Sequence, residues 1–215
     1  PLQVGAELYG YAGVEADIEL MDLMLKSLAL ADIPDIYLAL GHIGVFRTLA
    51  EAAQLSEDQA DALLLLMHAT DADQIAAWLQ GLDAPEAVRQ ALALLPTLYG
   101  DVDSVLARAQ AGLPALPGIQ AALDEMAVVA AAFADQATVH VDLAELRVDA
   151  YHTGLLFAAY APGWPDALAR GGRYDGLGSH FGRARPATGF SLDLRDLIQA
   201  LPPQPQRPGI KVAYA

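Results

Sequence analysis

The sequence predicts an α+β fold: a sheet assembled from the two ends of the chain, flanked by helices and interrupted by a helical insertion. Three observations predict it. Residues 2–9 alternate in polarity, residues after Gly13 switch to helical spacing, and a block rich in Ala, Leu and acids separates these from later strand signals.

In residues 2–9, Leu2, Val4, Ala6 and Leu8 share one face and Gln3, Gly5, Glu7 and Tyr9 the other, the period of a half-buried strand. Val14, Ile18, Met21, Leu25 and Leu28 then recur at helical spacing, and Glu15, Asp17, Glu19 and Asp22 give the first turns the negative charge that suits a helix N-terminus. Pro34 ends the helix, Asp35–Gly41 reads as a second strand, and Val45–Ala53 as a short helix. From Ser56 to about Phe133, helix starts at Ser56, Asp71, Pro85 and Asp101 imply about five helices without a repeat. Strand signals return at Thr138–Leu143, Gly154–Tyr160 and Pro186–Leu192, followed by a helix near Asp193–Ala200. Pro202–Pro208 reads as a stiff linker. The division is therefore 1–54 as the first part of the core, 55–135 as the insertion, 136–201 as the second part, and 202–215 as a linker opening another domain. A start at Pro1 in mid-pattern predicts a fragment of a longer protein.

With 12 Lys and Arg against 27 Asp and Glu the net charge is −15, which argues against a phosphate backbone as partner. The absence of cysteine excludes disulfides, thiolate metal sites and a thiol nucleophile, and fits a reducing cytoplasm. No apolar run approaches the ~20 residues needed to span a bilayer, so the expectation is a soluble chain without membrane contact. His42, His68, His140, His152 and His180 show no metal-ligand spacing, and neither a Gly-x-Ser-x-Gly elbow nor a Gly-Lys-Ser/Thr phosphate loop is present. The expectation is no metal and no cofactor.

Cations gather late. Arg170, Arg173, Arg183, Arg185 and Arg195 face only Asp175 and Asp193 over that stretch. They read either as an anion site or contact for an acidic surface, or as partners of the chain's own surplus acids. Gly171–Leu177 (GGRYDGL) reads as a tight turn, beside a pocket or as a simple hairpin bend. Gln3 and Glu7 share a strand face, free for a ligand or merely exposed.

In this order, five motifs resemble the histidyl-tRNA synthetase family, both its catalytic core and its non-catalytic relative, the regulatory subunit of ATP phosphoribosyltransferase. They are QVGAE at 3–7 with EAD at 15–17, LGHIGVFR at 40–47, Arg147 with YHTG at 151–154, GGRYDGL at 171–177 and PATGFSLDLRDL at 186–197. The resemblance implies a class II aminoacyl-tRNA synthetase-like antiparallel sheet flanked by helices, with an all-helical insertion. It also implies that Gln3 and Glu7 face a bound histidine, Glu7 meeting its ammonium; that Tyr151, His152 and Tyr174 line the imidazole pocket; and that Arg147 lies near the carboxylate.

Departures from the synthetase pattern separate the two branches. Where synthetases end their third motif with a glutamate and an ATP-holding arginine, this chain has Arg195 and Asp196, and an acid there repels a triphosphate. The resemblance thus implies a non-catalytic regulatory subunit, acting with a short catalytic ATP phosphoribosyltransferase subunit in the first step of histidine biosynthesis. Free histidine would be its effector; self-association and a cytoplasmic location are expected, tRNA is not. A divergent histidyl-tRNA synthetase is the alternative, favoured if residue 196 turns away from the cavity and another cation serves there. A third reading is an assembly protein binding neither histidine nor ATP.

Overall fold

The computed structural model describes residues 2–69, 71–143, 152–176, 182 and 184–201. Strand β1 (Gln3–Tyr9) leads into α1 (Val14–Leu30), then β2 (Tyr37–His42) and α2 (Ile43–Ala52). Helices α3 (Glu57–His68), α4 (Ala72–Gln80) and α5 (Glu86–Leu94) follow, then β3 (Tyr99–Asp101), α6 (Val102–Gly112) and α7 (Pro117–Phe133). Strands β4 (Thr138–Asp142), β5 (Leu155–Tyr160), β6 (Ala169–Arg173) and β7 (Ala187–Asp193) precede α8 (Leu194–Ala200).

The seven strands form one sheet in the order β1-β7-β6-β5-β2-β4-β3. It departs from the expected all-antiparallel arrangement at one pair: β2 and β4 run parallel, because six helices carry the chain back to the same end of the sheet before β4 begins. The region expected to be all-helical also supplies an edge strand, β3, paired with β4. And GGRYDGL does not begin as a turn. Gly171–Arg173 close strand β6, which pairs with β5 on one side and β7 on the other.

Alternation assigns the two faces of this sheet different work. Leu38, Leu40, Val141, Phe157, Ala159 and Leu192 point into the core, where Met21, Met24, Leu28, Phe46 and Phe133 from α1, α2 and α7 cover them. The opposite face carries Glu7, Gly189 and Gly172 in one cross-strand row and Gly5, Ser191 and Arg170 in the next. At its far end Thr138, His140, Tyr99 and Asp101 are exposed.

The helix starts follow their capping residues. Ser56 accepts from Gln59 N while Gln59 reaches back to Ser56 N, a complete capping box. Asp71 and Asp101 accept from Gln74 N and Ser104 N in the same way. No helix among the described residues is long and apolar enough to cross a membrane.

Candidate functional site

A cavity of about 270 Å³ opens on the sheet face opposite the helix-covered core, its described lining being Glu7, His152, Arg170, Gly171, Gly172, Tyr174, Gly189, Phe190 and Ser191. It lies near the small end of the ~300–1,000 Å³ range of ligand pockets, a size for a small molecule. Its floor depends on two glycines. A methyl group built on Gly189 would stand 2.9 Å from Glu7 Cγ and 3.2 Å from the Tyr174 hydroxyl. One built on Gly172 would stand 2.8 Å from His152 Cδ2. The bare backbone of β7 and β6 therefore lets the carboxylate, the phenol and the imidazole close over it.

Glu7 comes from the edge strand β1, opposite Gly189. The Tyr9 hydroxyl donates to Glu7 Oε2. That hydrogen bond holds the Tyr9 proton and raises its pKa. Tyr174 adjoins both: burial first, then the hydrogen bond with Tyr9 and the nearby Glu7 charge, push its pKa well above the ordinary tyrosine value. At neutral pH both phenols are protonated, so the cluster presents one carboxylate among hydroxyl donors. His152, buried, is set above Gly172 by the hydrogen bond from Thr153 N to Arg173 O at 2.8 Å, with Asp175 N donating to Thr153 Oγ1 at 2.9 Å.

Behind the floor, on the core face, lies a second charged group. Arg173 Nη2 reaches Asp17 Oδ2 at 2.5 Å and Gly13 O at 3.0 Å, and Nη1 reaches Tyr11 O at 3.3 Å. Both side chains of the pair are nearly inaccessible. Burial pushes the Asp17 carboxyl up against the pull of the guanidinium, while burial of Arg173 is outweighed by Asp17 and Asp175, which raise its pKa. The pair ties β6 and the segment after β1 to helix α1.

The structure thus brings Glu7, His152 and Tyr174 together. Gln3 shares the Glu7 face but lies four residues away, about 13 Å along the strand, and does not line the cavity. Arg147 and Tyr151 lie outside the described residues. Asp196 is half-buried in the first turn of α8 and does not line this cavity either. Of the late arginines, Arg173 pairs with Asp17 and Arg170 with Asp166. Sequence reasoning missed Arg170, Ser191 and Tyr9 as neighbours of the site; the signal was alternation, which puts Tyr9 on the Glu7 face and, once β6 is known as a strand, Arg170 beside it. Among the described residues no group of three His, Asp or Glu side chains is placed to hold a metal ion.

A family model described as histidyl-tRNA synthetase matches residues 1–197. The chain belongs to the histidyl-tRNA synthetase family. Within that family it is 52% identical over 212 residues to the ATP phosphoribosyltransferase regulatory subunit of Neisseria gonorrhoeae, covering 99% of this chain and 55% of that protein. The protein of the same description from Chromobacterium violaceum is 52% identical over 213 residues, again 99% and 55%. The chain thus spans about half the length of these curated relatives. Among solved structures, the Bacillus halodurans protein described as an ATP phosphoribosyltransferase regulatory subunit/histidyl-tRNA synthetase superposes with a TM-score of 0.80 at 28% identity, covering 94% of this chain and 53% of that one. The class II synthetase-like fold is accordingly the fold of this chain.

Proposed function

We propose that this chain is the histidine-sensing core of a non-catalytic regulatory subunit, which works with a short catalytic ATP phosphoribosyltransferase subunit in the first step of histidine biosynthesis. The observation that carries the reading is the identity of 52% over 212 residues to relatives described as that regulatory subunit. The cavity agrees with it: a carboxylate at Glu7 is the natural partner of an ammonium group, and Tyr174 and His152 offer ring contacts and hydrogen bonds to an imidazole. Residues 55–135 act as an insertion into a core made by 1–54 and 136–201. The subunit self-associates, resides in the cytoplasm and does not bind tRNA. Histidine at Glu7 favours one arrangement of the complex, and a coupling of about 1–3 kcal/mol changes the catalytic subunit's behaviour roughly 5- to 150-fold. The test is Glu7→Ala in the full-length protein, titrating histidine against the assembled enzyme; unchanged histidine sensitivity removes the assignment.

The second reading, a divergent histidyl-tRNA synthetase, is favoured by one feature of the cavity: Arg170 lines it while Asp196 does not. Histidine-dependent ATP–pyrophosphate exchange separates the two. A synthetase exchanges; the regulator does not.

A further inference from the structure

We propose that a second cavity, at the other end of the strands from the first, binds an organic cation: an amine, amidine or guanidine carried on an apolar body. The inference is independent of the histidine-sensing reading. The cavity has a volume of about 620 Å³, within the ~300–1,000 Å³ of ligand pockets, and shares no lining residue with the first. Strand β5 separates the two. It begins three residues after His152 and ends two before Pro162, which lines the second cavity, and its own length is about 17 Å at ~3.3 Å per residue.

The parallel strand pair creates this cavity. Helix α1 leads into β2 through residues 31–36 and α7 leads into β4 through residues 134–137, so both helices end at the same edge of the sheet. Each helix C-terminus carries about half a negative charge, and neither α1 nor α7 has a basic residue in its last turn to offset it. Asp35 and Asp135 add two carboxylates to the wall. Thr138 N donates to Ile36 O at 3.3 Å; extending that register puts the backbones of Asp35 and Asp135 about 6 Å apart, from ~4.8 Å between strands and ~3.3 Å per residue. Neither carboxylate has a hydrogen-bond or ion-pair partner among the described residues, and no Lys or Arg is in the described lining. Lys26, the one cation of α1, is held by Asp22 at 2.6 Å.

The rest of the wall chooses among cations. Leu25, Ile33, Ile36 and Ala137 are apolar, and Tyr37, 44% exposed, adds an aromatic side chain. A small metal ion would use none of that surface, and among the described residues no group of three His, Asp or Glu side chains is placed to hold one. An organic cation uses all of it, with its body against the aliphatic side chains and its charge between the carboxylates and the tyrosine ring.

The probe is benzamidine, a flat amidinium, and its control is benzamide, the same shape without the charge; calorimetry on the full-length protein reads both. Benzamidine binds with a Kd of about 1 mM or below, and benzamide at least about tenfold more weakly. Asp35→Asn and Asp135→Asn each weaken benzamidine binding about 3- to 10-fold, and the double variant about 10-fold or more. Both positions are exposed and unpaired, and asparagine accepts the φ of +50° found at residue 35, so the fold survives, as unchanged melting without the probe records. Equal binding of the two probes, no binding of benzamidine up to about 10 mM, or undiminished benzamidine binding in the double variant overturns the proposal.

Discussion

Replacing Arg173 with Met removes the guanidinium that clamps β6 to α1, and the structure sets the scale of the loss. Arg173 makes hydrogen bonds to Asp17, Gly13 O and Tyr11 O, with Asp175 at 3.4 Å. The methionine fills much of the space but leaves the buried Asp17 charge uncompensated, which costs about 3–5 kcal/mol. That is a large part of the ~5–15 kcal/mol stability of an ordinary protein, and corresponds to a fall in Tm of roughly 6–20 °C. Burial already pushes the Asp17 carboxyl above its usual value, and the variant removes the opposing pull. The folded variant then holds a proton that the unfolded chain releases, so its stability falls as pH rises above about 3.9 and toward the raised folded value. Urea denaturation at pH 7 and pH 5 measures both effects: the deficit relative to wild type is smaller at pH 5. Adding Asp17→Leu recovers part of the loss, since a buried pair replaced by apolar side chains is often neutral. A loss below about 1 kcal/mol at pH 7, or a deficit that grows toward pH 5, would refute the claim that this pair is buried and charged.

Three further outcomes follow from the same geometry. Gly189→Ala places a methyl 2.9 Å from both Glu7 Cγ and Ala6 O, so overpacking costs about 1–3 kcal/mol and histidine affinity falls more steeply than stability, as calorimetry beside thermal melting will record. Ser56→Ala opens the capping box of α3 and costs about 0.5–2 kcal/mol by urea denaturation while leaving histidine binding alone. The hydrogen bond from His42 holds the Glu125 carboxyl below its ordinary pKa, so its contribution is present above about pH 4.3 and lost as pH falls through the depressed value; the stability difference between wild type and Glu125→Gln narrows over that acid window.

How much of this was legible in the sequence depended on whether local chemistry or distant pairing decided the element. Strand β1, helix α1 and the caps at Ser56, Asp71 and Asp101 are set by residues within one turn of each other, and they form where the pattern placed them. The parallel pairing of β2 with β4 is set by where six intervening helices pack, which no local pattern encodes. Strand β3 hid because Asp101 is both its last residue and the cap of α6. In the site, alternation put Glu7 on a free face, but it also put Gln3 there, and only the register against β7 shows that the cavity stops short of Gln3.

Strand β6 is the instructive failure. Two adjacent glycines lower strand propensity and carry no side chain, so they cannot say which face is inward. A hydrophobic pattern normally forbids a one-residue slip; here Gly171 and Gly172 leave that task to their neighbours. The arginines supply it. Arg170 turns to the open face and meets solvated Asp166, while Arg173, an odd number of residues on, turns to the core and meets Asp17. A slip by one residue would bury Arg170 away from Asp166 and strand Asp17 without a cation, a penalty of several kcal/mol. Two guanidiniums that read in sequence as one basic patch therefore have opposite duties. Arg173 fixes the register from behind the sheet, and in doing so leaves Arg170 on the cavity's side of it.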